Sequence, residues 1–151
     1  MKPKLALFLD FDGVLHHYFP LPEKSEEENK HFYYLSNFES LIREFQKELD
    51  IVIVISSSWR KKRTMEELRA FFSIDIQPLI IDKTPVINEE DREIEVLTWI
   101  QQNNFTGNHL ILDDCDFFFK NKKTLIHCYD KFDDREITLF KNKIIEFKQM
   151  F

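Results

Sequence analysis

Glycine is almost missing from this chain. Only Gly13 and Gly107 are present, so a glycine-rich loop that wraps the phosphates of a nucleotide cannot be built. Cysteine is as scarce: Cys115 and Cys128 stand alone, with no metal-ligand spacing between them. They read as reduced, packed thiols of a reducing compartment. No apolar run approaches the roughly 18 residues needed to span a bilayer. The basic start Met1-Lys2-Pro3-Lys4 leads into Leu5 to Leu9, which stops at Asp10. That run is too short for the apolar part of a leader and lacks a small-residue cleavage site. The expectation is therefore a cytoplasmic protein without a membrane partner. A net charge of −6 gives no general attraction to nucleic acid. The run Arg60-Lys61-Lys62-Arg63 is a local exception, readable as a solvated helix start or as a polyanion contact.

What is present fits one soluble globular unit. At 151 residues, 43% apolar and 32% charged, the chain can bury one real core but hardly two. Residues 1–151 are expected to form a single domain. Leu5 to Leu9 is a continuous apolar run, the pattern of a strand buried on both faces. Residues 16–36 are aromatic, proline-bearing and acidic, and read as a loop. Phe38, Leu41, Ile42, Phe45 and Leu49 recur at helical intervals, with Ser36 or Asn37 as cap. Ile51 to Ile55 is entirely β-branched and predicts a second buried strand. After Ser56-Ser57-Ser58, a helix would carry Met65, Leu68 and Phe72 on one face. Ile76 to Ile81 is a third strand candidate, weakened by Pro78. Asn88 would cap a helix with Glu89, Glu90 and Asp91 in its first turn and Ile94, Leu97 and Ile100 or Trp99 on its apolar face. His109 to Leu112 and Leu125 to Cys128 complete five strands. A last helix uses Ile137, Phe140, Ile144 and Phe147 or Phe151. This alternation predicts an α/β fold: one doubly wound, Rossmann-like domain with a mostly parallel five-stranded sheet and helices on both faces.

In such a sheet, ligands bind outside the carboxyl ends of the strands. The notable polar residues fall there: Asp10 and Asp12 after the first strand, Ser56 after the second, Asp113 and Asp114 after the fourth. Four carboxylates brought together repel one another unless a cation intervenes, and an oxygen-only donor set suits Mg²⁺. The run Asp10-Phe11-Asp12-Gly13 is not a calcium-binding EF-hand loop, which needs glycine at its sixth position and glutamate at its twelfth.

The order acid pair, serine, basic residue, acid pair resembles the haloacid dehalogenase-like (HAD) phosphatases. Asp10-Phe11-Asp12-Gly13-Val14-Leu15 is similar to the first motif of that superfamily, Ser56 to its second, and Asp113-Asp114 to the paired-aspartate form of its fourth. Ser57-Ser58-Trp59-Arg60, Thr84-Pro85 and Arg92 ahead of Glu93-Ile94 and Trp99-Ile100 resemble a small subgroup that includes domains of multi-enzyme RNA-repair proteins. The resemblance covers residues 5–114; the remainder is matched by general pattern. It implies that Asp10 attacks phosphorus and becomes an aspartyl-phosphate. Asp12 would serve as general acid and base, and its backbone carbonyl would bind metal. Ser56 and the backbone near Ser57 would hold phosphate oxygens. Asp113 would coordinate Mg²⁺ directly and Asp114 through water, so that Asp10, Asp12, Asp113 and Asp114 form the metal set. Arg92 or Lys83 would offset the charge on the transferring phosphoryl group, and Arg60 would touch a polyanion or pack Trp59. His16 and His17 would either touch substrate or remain exposed loop histidines. Phe117-Phe118-Phe119 would fill core or interface, and Cys115 would be a small buried neighbour.

The implied activity is Mg²⁺-dependent phosphomonoester hydrolysis. Residues 16–36 are too short for a cap domain and residues 59–92 leave no room for one. An open site follows, suited to a nucleotide or nucleic-acid phosphate end, with oligomerisation as one way to close it. Phosphoproteins and small metabolites are alternative substrates. A phosphorylated receiver domain would place its accepting Asp after a middle strand, where Ile51 to Ile55 instead ends in serine. A catalytically idle binding module would have no need of the second aspartate, Asp12.

Overall fold

The computed structural model describes residues 1–87 and 91–149, so the expected cap Asn88, its neighbours Glu89 and Glu90, and Phe151 lie outside the described residues. These residues form one five-stranded parallel sheet. Its strands are β1 (Lys4–Leu9), β2 (Asp50–Ile55), β3 (Ile80–Lys83), β4 (Asn108–Asp113) and β5 (Leu125–His127), in the order β3-β2-β1-β4-β5. Helices α1 (Leu35–Phe45), α2 (Met65–Arg69), α3 (Arg92–Gln102) and α4 (Asp134–Lys148) connect or follow them. No helix among these residues is long and apolar enough to cross a membrane.

The strands are apolar on both sides because both sides are covered. Alternate residues serve two cores. Leu5, Leu7, Leu9, Ile51, Ile53, Ile55, Leu110 and Leu112 meet the apolar faces of α1, α2 and α4, whereas Ala6, Phe8, Val54 and Ile111 meet Val96 and Trp99 of α3. In the smaller core, Phe8 packs edge-on against Trp99 with ring centroids 5.5 Å apart.

Three expectations need correction. The third strand is Ile80–Lys83, because Ile76 to Leu79 closes into a turn followed by a 3₁₀ segment (Gln77–Leu79) with Pro78 at its start. Proline fits there since no ladder N–H is required of it. In α1, Ser36 and Asn37 lie inside the first turn and Tyr34 is the cap, without a side-chain bond. Asn37 Nδ2 instead donates to the Phe132 carbonyl, 3.0 Å. In α3, the buried face is Glu95, Val96 and Trp99, while Ile94 and Leu97 are 43% and 52% exposed. Asp91 caps that helix by accepting the Ile94 N–H, 3.1 Å. Of the phenylalanine run, Phe117 is exposed and Phe119 is buried.

The chain order explains where a site can form. From β1 it steps outward through β2 to β3, then returns along α3 to β4 on the other side of β1. The connections reverse direction between β1 and β4, and a crevice opens at the carboxyl ends of such strands. Asp10 and Asp113 stand there.

Candidate active site

Asp10 directly follows β1, buried from Leu5 to Leu9, its N–H still donating to the Leu112 carbonyl across the strand pair (3.0 Å). Its side chain is 2% exposed. One carboxylate oxygen accepts the Phe11 N–H (2.8 Å) and the other accepts Arg92 Nη1 (3.0 Å). Asp113 ends β4 with no exposure; it accepts the Cys115 N–H (2.9 Å) and the same Arg92 Nη1 (2.7 Å). One guanidinium nitrogen thus bridges carboxylates from two neighbouring strands. Lys83 is not brought to them, since its Nζ donates to the carbonyls of Arg60 and Arg63, both 3.3 Å.

The electrostatics show that one arginine does not neutralise this cluster. Burial, then the charge of Asp113, pushes the Asp10 carboxyl well above the usual carboxylate range, against the pull of Arg92. Burial likewise pushes Asp113 up to about 6, although Arg92 and the Cys115 N–H oppose it. Arg92 is held charged: burial works against its charge, and the two aspartates more than offset that. Burial and the flanking carboxylates push the Cys115 thiol up to about 11, so it remains protonated and is no nucleophile.

Gly13 shows why a glycine stands in this loop. Its φ is +75°, and a Cβ built there would lie 2.4 Å from Asp114 Oδ2. Asp114 therefore occupies the space a side chain would take. The oxygens of Asp113 and Asp114 lie within 4.8 Å of each other and of the Cys115 sulfur. Two adjacent carboxylates, Asp113 buried and Asp114 partly exposed, fit the oxygen preference of Mg²⁺. Among the described residues, the expected Asp10 and Asp12 carboxylates are outside this group.

Phe11 anchors the segment between the two aspartates. It is fully buried, with Phe32, Trp59 and Phe71 edge-on around its ring at 5.4, 5.6 and 6.3 Å. Asp12 emerges from that cluster half-buried. It accepts His16 Nε2 at 2.8 Å on Oδ1, and Trp59 Nε1 at 3.2 and 3.1 Å on its two oxygens. Burial raises the Asp12 carboxyl, but the bonds from His16 and Trp59 outweigh it and hold it below the usual range.

Ser56 is fully buried at the end of β2, and among the described residues its Oγ has no hydrogen-bond partner. An orphaned buried hydroxyl is costly unless something fills the place of the partner. Ser57 Oγ, in contrast, is engaged as a cap, accepting the Trp59 N–H at 3.2 Å.

Arg60 differs most from its expected substrate contact. Its side chain is 3% exposed. Nε donates to the Thr84 carbonyl (3.0 Å), Nη1 to those of Ser56 and Ser57 (3.1 and 3.0 Å), and Nη2 to that of Pro85 (3.3 Å) and to Glu95 Oε1 (2.9 Å). A guanidinium has five N–H donors, and all are used internally. Arg60 therefore fastens the β2 end to the segment before α3, and none is left for a polyanion. The exposed-loop reading of the histidines also fails. His16 is 1% and His17 8% exposed, and His17 is held between Asp130 Oδ2 (2.9 Å) and Tyr34 Oη (3.2 Å).

Tyr18, Ser58, Arg60, Lys61, Arg92 and Glu95 line a cleft of about 200 Å³, joined to the aspartates through Arg92. A sheet in this order, with acidic residues after its first and fourth strands and a serine after its second, defines a haloacid dehalogenase-like domain. The chain belongs to the family described as the HAD domain in Swiss Army Knife RNA repair proteins, which matches residues 6–132 and so reaches beyond β5. The general kind is that of a phosphatase-type hydrolase. Comparison with curated proteins and with solved structures gives no match.

Proposed function

We propose that this chain is a Mg²⁺-dependent phosphomonoester hydrolase that works through an aspartyl-phosphate on Asp10, in a cytoplasmic setting, with residues 1–151 as one catalytic unit. The supporting observation is the bridging of Asp10 and Asp113 by Arg92 at the crevice between β1 and β4, beside the unpartnered Ser56 hydroxyl. A carboxylate oxygen of Asp10 attacks phosphorus, splitting one difficult displacement into two easier ones. Asp12 is ionised in the free site; the negative charge of a bound phosphate raises its carboxyl, so that it gives a proton to the leaving oxygen and later takes one from the hydrolytic water. The Ser56 hydroxyl donates to a phosphate oxygen, which gives its orphaned Oγ a partner. Arg92 holds Asp10 and sets positive charge beside the equatorial oxygens. Bound by Asp10, Asp113, Asp114 and the Asp12 carbonyl, Mg²⁺ would add positive charge against the transferring phosphoryl group.

The substrate we favour is a nucleotide or polynucleotide phosphate end. Tyr18 and Lys61 flank Arg92 in the cleft, and Tyr18 and Phe19 are 55% and 70% exposed, offering faces on which a base can stack. The reading is tested by p-nitrophenyl phosphate turnover with and without Mg²⁺ in the parent and Asp10→Asn. Turnover should require the metal and disappear in the variant. Equal turnover by Asp10→Asn would remove Asp10 as nucleophile. A panel of nucleotides and 3′- or 5′-phosphorylated oligonucleotides then ranks the substrates.

A further inference from the structure

We propose that His16 is a positioning residue for Asp12, locked as its Nε2–H tautomer by the backbone of Phe32, and that Trp59 completes the donor clamp. The inference rests on the role of Asp12 proposed above. His16 Nδ1 lies 3.1 Å from the Phe32 backbone nitrogen, which can only donate. Nδ1 therefore accepts and carries no proton. The remaining ring proton sits on Nε2, 2.8 Å from Asp12 Oδ1, so His16 donates to the carboxylate.

Several features fix the ring in that pose. Phe32 has a φ of +64°, unusual for a bulky residue, and its N–H meets His16 in that conformation. The imidazole is 1% exposed, tilted against His31 with centroids 4.7 Å apart and edge-on to Phe32 at 5.2 Å. Gly13 N–H donates to the His16 carbonyl at 2.9 Å, which closes the loop between Asp12 and its partner. Trp59 Nε1 approaches both Asp12 oxygens from a second direction. The carboxylate is thus constrained by two rigid aromatic donors on separate segments, and neither depends on a flexible side chain.

A positioned acid matters most when the leaving group is poor, and such proton transfer contributes roughly 10²–10⁴-fold. His16→Phe and Trp59→Phe each keep an aromatic ring and lose the donor. On an alkyl phosphate each should lose about tenfold or more in kcat; on 2,4-dinitrophenyl phosphate, whose leaving group needs no proton, about twofold or less. His16→Gln, which restores an N–H near the Nε2 position, should recover most of the alkyl phosphate rate. A uniform loss on both esters, with no rescue by glutamine, would overturn the clamp. ¹⁵N spectra of the full chain give a readout that needs no activity: the His16 ring should be protonated on Nε2, with shifts that move in Asp12→Asn. Protonation on Nδ1 overturns the clamp even if the enzyme is active. An inactive parent with the Nε2–H tautomer overturns the phosphatase reading and leaves the clamp standing.

Discussion

Gly13 concentrates two requirements in one position: a left-handed backbone and the absence of a side chain facing Asp114. Gly13→Ala should leave the far-ultraviolet spectrum close to that of the parent yet displace the Asp114 carboxylate. Mg²⁺ affinity, followed as the metal concentration giving half-maximal turnover, should weaken about tenfold or more, as for other outer-shell changes. Unchanged metal dependence would mean that Asp114 does not help to hold the ion. At this scale the sequence is informative where an apolar run stops at an acid. Leu5 to Leu9 ending in Asp10 and Leu110 to Leu112 ending in Asp113 put carboxylates at strand ends on pattern alone. The same reasoning leaves His16 between a substrate contact and an exposed loop residue, because a histidine in an aperiodic loop carries no pattern. Its burial and its role come from Phe32 and Trp59, which only the folded chain brings to it. Arg60 is misjudged for a related reason: a basic run looks solvated, and nothing local reveals that carbonyls from Ser56, Ser57, Thr84 and Pro85 surround one of its members.

At the scale of elements, the Arg60–Glu95 pair joins the end of β2 to α3. Its side chains are 3% and 2% exposed, and Glu95 also accepts the Ile87 N–H at 2.7 Å. Removing one partner strands the other charge, so Arg60→Met should lower the unfolding free energy by about 3–5 kcal/mol in urea titration. A loss within ~0.5 kcal/mol would put the pair in solvent. The orientation of α3 gives a second check. Trp99→Ala should cost about 3–5 kcal/mol, since the ring packs on Phe8 and donates Nε1 to Asp82 Oδ2 at 2.8 Å. Leu97→Ala should stay within ~0.5 kcal/mol. Period alone cannot choose between the two faces, because Ile94 and Leu97 repeat as well as Val96 and Trp99 do. The choice between the two faces is made by the charged pair and the indole bond, and neither is visible as hydrophobicity. Sheet strands were easier to read, except β3, where Ile76 to Leu79 supplies the apolar composition of a strand but closes into a turn.

For the whole molecule, the metal-free fold carries an electrostatic cost that depends on pH. Asp113 is raised from 3.8 to about 6 by burial, so the folded state binds the proton more tightly than the unfolded chain. The stability it contributes is fully present below about 3.8 and is lost as pH rises through about 6; Asp10 acts in the same direction. In EDTA at pH 7, Asp113→Asn should therefore be more stable than the parent, by on the order of 1–3 kcal/mol, and melt at a higher temperature. The difference should shrink on acidification to about pH 4, and saturating Mg²⁺ should favour the parent. Thermal melts across pH with and without metal decide this. A parent that outlasts the variant in EDTA at pH 7 would show that Arg92 alone suffices for the two carboxylates.

The reversal of strand order at β1 also bears on how the protein is made. Asp10 leaves the ribosome early, yet Arg92 and Asp113 arrive only after β2 and β3, the two strands on one side of β1, have been synthesised. Until then the nascent chain carries Asp10 and Asp12 without Arg92 and Asp113. The proposed site can be complete only once β4 has inserted beside β1, so phosphate turnover, if the proposed hydrolysis holds, would report completed folding rather than partial assembly.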